Sequence, residues 1–406
     1  MRILLHDATL LSCTGADPVY PAWLLIENEL IAEIGFGNLL HPAPSADETI
    51  NCNGQTLMPG LIEAHMHGSL YTNDMNELHR RYHPGLQAAY AYRIYADTLQ
   101  MGFTSARDCG GVDPGFRDAI NLGLMPGPRL MVAGPALTMT GGHADTRFGT
   151  EYIGPIANVI QTGYVADGVD EVRKASRELL RRGVDLLKVM AGGGCASASD
   201  EPDTTQYTPA ELEAIVYEAR AVHKTVAAHA YSNQSMRLCA EAGIYSIEHG
   251  NYLDADTAKV LKAAGCWLVP TLTTYEIMST RGDEFGLAPH FLRKMREVRE
   301  QSLQGLSVAY AAGLNIGSGS DVVGSGQPYK TMELELKAKV MGNHAAILSA
   351  TRENARLMQQ ENRIGTVQVG LLADLLLISG DPLEDITLFQ QPDKVSMIFQ
   401  GGRRVR

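Results

Sequence analysis

Leu61-Ile62-Glu63-Ala64-His65-Met66-His67-Gly68 is an apolar run that ends in two histidines two residues apart. On a strand, side chains at i and i+2 leave the same face. His65 and His67 are therefore expected to project together from one strand end, near enough to share a metal ion. Pro59-Gly60 punctuates the chain just before the run, as a strand entry would. An HxH pair alone is weak evidence, because most such histidines are surface or core residues. The rest of the chain supplies the context.

Outward from this run the chain alternates. Short strand-like stretches recur over 104–106, 129–132, 186–190, 225–229, 245–248, 267–270 and 314–317. Helical stretches lie between them, over 85–101, 170–182, 209–223, 232–242, 255–264 and 289–312. Pro209 and Pro289 open two of these, which suits a first turn that needs no amide donor. Strand then helix, repeated about eight times, is the pattern of a parallel α/β architecture, with a (β/α)8 barrel favoured. The two ends read differently. Runs at 2–5, 22–26 and 30–34, and again at 373–378 and 395–399, are short strands broken by Asp, Asn, Gly and Pro. They predict one small β domain made from both chain ends, residues 1–57 with 359–406, beside a barrel over 58–358.

Composition narrows the partners. The chain has 406 residues, and its 46 acidic against 34 basic side chains give a net charge of -12, which argues against nucleic acid. No run of apolar residues is long enough to span a membrane. The segment Met1-Arg2-Ile3-Leu4-Leu5-His6-Asp7 lacks the apolar stretch of a signal peptide, so a cytoplasmic location is expected. Cys13, Cys52, Cys109, Cys195, Cys239 and Cys266 are far apart, with no CxxC spacing, and read as buried thiols.

The chemistry falls on the ends of the expected strands, where barrels place it. Lys188 lies in Leu186-Leu187-Lys188-Val189-Met190, although burying an unpaired ammonium is costly. His229 ends Val226-Ala227-Ala228-His229, and His249 ends Ser246-Ile247-Glu248-His249. Asp321 closes Ile316-Gly317-Ser318-Gly319-Ser320-Asp321. Each has an ordinary alternative: a hydrogen-bonded core histidine, a helix cap for Asp321, a snorkelling lysine. Their joint occurrence in this order is what points to a site.

This ordered set resembles the binuclear metal-dependent amidohydrolases, and the resemblance covers nearly the whole chain. Met58-Pro59-Gly60-Leu61-Ile62, Gly102-Phe103-Thr104-Ser105-Ala106-Arg107-Asp108 and Ser246-Ile247-Glu248-His249-Gly250 carry it, with 364–367 and 370–375 in the tail. Glu63 stands where the family more often has Asp. The resemblance implies a β-sandwich from both termini beside a distorted (β/α)8 barrel. It assigns His65, His67 and Asp321 to the more buried of two divalent metals and His229 and His249 to the other. Lys188 bridges them as a CO2-derived carbamate, since an ammonium has no acceptor for a cation. Such ligands suit zinc, with manganese or cobalt as alternatives. A metal-bridging hydroxide is the implied nucleophile, and Asp321 the general base and then general acid toward the departing amine.

Within the superfamily, Ala228-His229-Ala230-Tyr231 and Thr140-Gly141-Gly142-His143 resemble the Xaa-Pro dipeptidase-like and N-acyl-amino-acid carboxypeptidase-like branch. That branch implies a small-molecule substrate with an amide bond and a free carboxylate. Tyr231 and His143 would contact the reacting carbonyl or the carboxylate, and Arg237 would hold the carboxylate through its fork. The small-residue loop from Gly192 through Ser199 to Tyr207 follows the lysine strand and is expected at the barrel mouth as a lid or specificity loop. One alternative is hydrolysis of non-peptide amides, carbamates or phenylureas by the same machinery. Another is a non-catalytic structural relative, although such relatives lose ligands that are all present here. The family also implies assembly into a homo-oligomer.

Overall fold

A computed structural model describes residues 1–39, 42–74, 77–152 and 159–406. The eight expected barrel strands are Leu61–Met66, Phe103–Asp108, Arg129–Val132, Leu187–Met190, Val226–Ala230, Ser246–His249, Trp267–Val269 and Asn315–Ile316. All run parallel to their barrel neighbours, in two hydrogen-bonded blocks. The first three strands form one block. The other five form the second, extended by Ala136–Thr138 and Gly163–Val165. Single bonds close the ring. Asp185 N donates to Val132 O at 2.8 Å, and on the other side Ala64 N donates to Ser318 O and Asp321 N to His65 O, both at 2.9 Å.

Alternation along the strands decides what faces where. Leu187, Val189, Ala228, Ala230 and Ile247 turn outward and pack with Leu212, Ile215, Met236, Ala258 and Leu261 of the surrounding helices. Lys188, His229 and Glu248 are the intervening residues and turn inward. Both faces are buried, as a parallel sheet requires.

Helices Pro84–Gln100, Gly168–Arg181, Pro209–Arg220, Asn233–Ala242, Ala255–Ala263 and Pro289–Ala312 lie where the sequence predicts them. Thr208 and Glu211 make a reciprocal capping box at the start of Pro209–Arg220. Leu272–Arg281 is a helix the sequence did not announce: its threonines and isoleucine are poor helix formers, and burial along most of its length holds it. Met332–Met341, Asn343–Ser349 and Arg352–Leu357 complete the helical layer before the chain leaves the barrel.

Both termini build one eight-stranded sheet. Thr56–Pro59 is its centre, pairing parallel with Arg2–Leu10 and antiparallel with Leu375–Ile378. Ile3, Leu5, Leu24, Ile26, Leu57, Leu375, Leu377 and Phe399 share one core, so the sheet folds over itself. Met58, Leu376 and Ile398 point the other way, onto Leu61, Leu99, Phe103 and Ile347 of the barrel. All six cysteines are buried and unpaired. Among the described residues no helix is long and apolar enough to cross a membrane.

Candidate active site

His65, His67, Lys188, His229, His249 and Asp321 converge on one cavity of about 330 Å³ at the C-terminal ends of the strands. His65 and His67 share a face of the first strand, as the i, i+2 spacing predicts, and both reach Asp321. His65 Nε2 lies 3.5 Å and His67 Nε2 3.2 Å from Asp321 Oδ1. These three residues form a cluster able to hold a metal ion. His229 and His249 sit on adjacent strands, with ring centres 4.4 Å apart, and His65 packs 5.1 Å from His249.

Strict alternation would send His249 outward beside Ile247. Its backbone is instead left-handed, φ 77°, and its imidazole lines the cavity. Asp321 has the same conformation, φ 51°. For residues with a Cβ this costs on the order of 1–3 kcal/mol each, and such strain concentrates at functional sites.

Each histidine has one ring nitrogen engaged by the protein. His65 Nδ1 meets Glu248 Oε2 at 2.7 Å, and His67 Nδ1 meets Gly110 O at 2.9 Å. His249 Nδ1 meets Thr271 Oγ1 at 2.8 Å, and His229 Nε2 meets Gly193 O at 3.1 Å. These contacts set the ring orientations and leave the opposite nitrogens as donors, the arrangement expected around a metal. Glu248 is itself held by Arg107, whose Nη2 lies 2.7 and 2.8 Å from the two carboxylate oxygens. Burial would raise the Glu248 carboxyl, but Arg107 and then His65 hold it well below the usual range.

Burial lowers His65 to about 4, and lowers His229 and His249 further. Neutral imidazoles are the form that ligates a cation. Burial acts on His67 the same way, but the hydrogen bond to Asp321, the charges of Asp321 and Asp108 and the bond to Gly110 together outweigh it, and the net shift is upward. Burial also opposes ionisation of Asp321, yet His65 and His67 bring it down to about 2, so a carboxylate stands beside the rings.

Lys188 is buried and its Nζ has no hydrogen-bond partner among the described residues. Burial pushes its ammonium down toward the neutral amine. An orphaned amine ringed by four imidazoles and a carboxylate is a costly arrangement unless something else occupies the space between them. The residues therefore fit a cationic group.

Around this centre lie the substrate-contact candidates. Tyr231 follows the end of its strand, stacks on His249 with ring centres 5.1 Å apart, and its hydroxyl accepts from Tyr275 at 2.9 Å. His143 stacks on His229 at 4.4 Å, while its Nδ1 meets Ser197 Oγ at 3.2 Å and Asp200 Oδ2 at 3.5 Å. Arg237 is not brought to this cavity. It sits a turn into helix Asn233–Ala242, where its Nε donates to Thr257 Oγ1 at 3.0 Å and its guanidinium lies 3.8 Å from Asp254. A helix following a barrel strand packs on the outside, and this position turns toward the next helix. The arginine that lines the cavity is Arg147, paired with Asp145. Leu70, Phe291 and Met295 give the cavity an apolar side.

Sequence reasoning missed Glu248, Arg107, Tyr275, Asp200 and Arg147. Glu248 and Arg107 stand inside quoted motifs, so their position was visible but their pairing across the barrel was not.

The chain matches the model of the amidohydrolase family over residues 56–405. It is 32% identical to the ochratoxinase of Aspergillus niger over 99% of its own length and 86% of the relative's. A prolidase solved with N-methylphosphonate-L-proline superposes with a TM-score of 0.95 at 33% identity, each chain covered in full. A Xaa-Pro dipeptidase with methionine in its active site gives 0.91 at 27% identity, again over both whole chains. With the barrel, the terminal β domain and the converging histidines in place, these likenesses make the chain a member of the amidohydrolase family, enzymes that hydrolyse C–N bonds.

Proposed function

We propose that this chain hydrolyses the amide bond of dipeptides or N-acyl amino acids. The observation that carries the reading is the set of four oriented histidines around Asp321 and the unpartnered Lys188. His65, His67 and Asp321 would hold one divalent metal and His229 and His249 a second, with carboxylated Lys188 between them. Zinc suits these donors, and manganese or cobalt is compatible with them. When bound, such a pair supplies Lewis acidity and a hydroxide at neutral pH. Asp321 takes the proton at its carboxylate and returns it to the nitrogen of the departing amine, which is a poor leaving group unprotonated. Tyr231 and His143, packed against His249 and His229, are placed to orient the scissile carbonyl. Arg147 takes the carboxylate role that Arg237 is too far out to perform.

The prolidase and dipeptidase likenesses favour a free carboxylate on the substrate. A second reading, non-peptide amides, carbamates or phenylureas, draws support from the apolar side formed by Leu70, Phe291 and Met295. The division at residues 57/58 and 358/359, assembly into a homo-oligomer and a cytoplasmic setting go with either reading.

Metal content measured alongside hydrolysis of dipeptides, N-acyl amino acids, their carboxyl-blocked amides and aryl amides without a carboxylate separates them. Two metals per chain and activity on free carboxylates alone is the expected result. Activity on blocked amides alone moves the function to the second reading, and one metal or none removes the binuclear site.

A further inference from the structure

Lys294 is a second buried lysine, on helix Pro289–Ala312, and the reaction outlined above does not use it. Its ammonium points into the loop that follows the Lys188 strand. Nζ donates to Gly194 O at 3.3 Å, to Ser197 O at 2.9 Å and to Asp200 O. Three donors meet three carbonyls, so the buried charge is fully used. The loop is tied down elsewhere too. Gly194 N donates to Asp200 Oδ1 at 3.1 Å, Gly193 N to Thr204 O at 3.2 Å and Gln206 N to Ala191 O at 2.9 Å.

What the loop touches gives the anchor a consequence. Ser197 and Asp200 receive Nδ1 of His143, and Gly193 O receives Nε2 of His229. Gly194 presses so closely on His143 that a Cβ there would stand 2.2 Å from its Cε1. On the helix, Phe291 and Met295 flank Lys294 one turn up and one residue on, and both line the cavity and pack with Cys195 and Ala196 of the loop. Loop and helix together form this apolar side of the cavity, and Lys294 ties one to the other.

We propose that Lys294 is a positioning residue: by fixing loop 194–200 against helix Pro289–Ala312, it places His143 and sets the size of the apolar group the cavity admits. A flexible lid would leave its carbonyls to water. This loop is a fixed wall. The size role rests on the proposed amide hydrolysis, whereas the anchoring does not.

Cys195 reports on the wall without any substrate. It is buried in the loop, and burial pushes its thiol up to about 12, far from the reactive thiolate. In Lys294→Met the three carbonyls lose their donor and the loop loosens. Alkylation by iodoacetamide, mapped by mass spectrometry, is expected to quicken about tenfold at Cys195 and not at Cys109, with metal content unchanged. On N-acyl amino acids with aromatic side chains, KM should rise about tenfold while kcat stays within about threefold, and discrimination against smaller side chains should shrink.

A folded Lys294→Met with unchanged Cys195 alkylation and unchanged KM overturns the proposal. Should that variant not fold, hydrogen exchange on the wild-type chain decides. Amides of Gly193, Gly194 and Gln206 protected like those of strand Val226–Ala230 uphold the anchor, and exchange within seconds overturns it. Faster Cys195 alkylation in a chain that cleaves no amide upholds the anchor and sinks only the proposed reaction.

Discussion

At the scale of single residues, the site depends on the atoms that do not face the centre. His65 owes its orientation to Glu248, and Arg107, gripping both oxygens, is the foremost of the groups that keep Glu248 ionised. The inward nitrogens are thereby aimed before any ligand arrives. Among the described residues, Asp321 is the one carboxylate within 4 Å of His65, His67 and His249 together. Asp321→Asn keeps the shape and removes the proton carrier, so kcat should fall by roughly 10²–10⁴-fold, read by steady-state kinetics with metal content measured in parallel. The two arginines give a paired test. Arg147→Ala should raise KM about tenfold for substrates with a free carboxylate, because the guanidinium lining the cavity is lost. Arg237→Ala should leave KM within about twofold, because its guanidinium is spent outside the cavity on Thr257 and Asp254 at the start of the next helix. Equal effects of the two would put the carboxylate elsewhere.

At the scale of elements, the weak place in the barrel is the seam between its last and first strands. Asn315–Ile316 is only two residues long, yet the segment after it carries Asp321 beside His65 and His67. Side chains do the joining. Asn354 donates to Ile62 O at 2.6 Å and Ser318 O at 2.7 Å and accepts from Ser318 N at 2.9 Å. Glu63 Oε1 accepts from His65 N at 3.1 Å and Ser320 N at 2.8 Å, one carboxylate oxygen tying both ligand-bearing segments. Gly319 lets them approach, since a Cβ there would stand 2.5 Å from His65 N. Asn354→Ala removes three hydrogen bonds to backbone groups and should lower unfolding stability by about 1–3 kcal/mol in urea. It should also speed metal loss to a chelator, because the seam joins the segments that carry the proposed ligands His65, His67 and Asp321. Unchanged metal loss would confine Asn354 to stability. The seam also shows what local pattern conceals. HxH was legible because period-two alternation is a property of the strand itself, whereas Asn354 lies 36 residues from Ser318 and nothing near it announces the contact.

At the scale of the molecule, the terminal sheet and the barrel are one construction. Thr56–Pro59 is the shared element: it pairs with strands from both chain ends and leads straight into Leu61–Met66. Met58 and Leu376 then pack on Leu61 and Phe103, so the sheet also covers one end of the barrel wall. A chain lacking residues 1–27 would leave Leu57, Leu375 and Phe399 open to water and Thr56–Pro59 as an unpaired edge. Such a chain is expected to aggregate rather than yield an active barrel, as size-exclusion chromatography and circular dichroism would show. A monomeric, folded product would make the β domain dispensable.

What the sequence by itself determined is the order of the elements and the identity of the inward-facing donors. Hydrophobic alternation, turn residues and strand-end histidines are encoded within windows of a few residues, and His65, His67, Lys188, His229, His249 and Asp321 were all named from them. What only the tertiary structure decided is everything made between distant windows: the grip of Arg107 on Glu248, the seam at Asn354, the bonds of Lys294 to its loop, and the place of Arg237 outside the cavity that Arg147 lines. Which way a helix residue turns depends on the neighbour it meets after the barrel has closed. The donors were written locally, and their aim was set by packing.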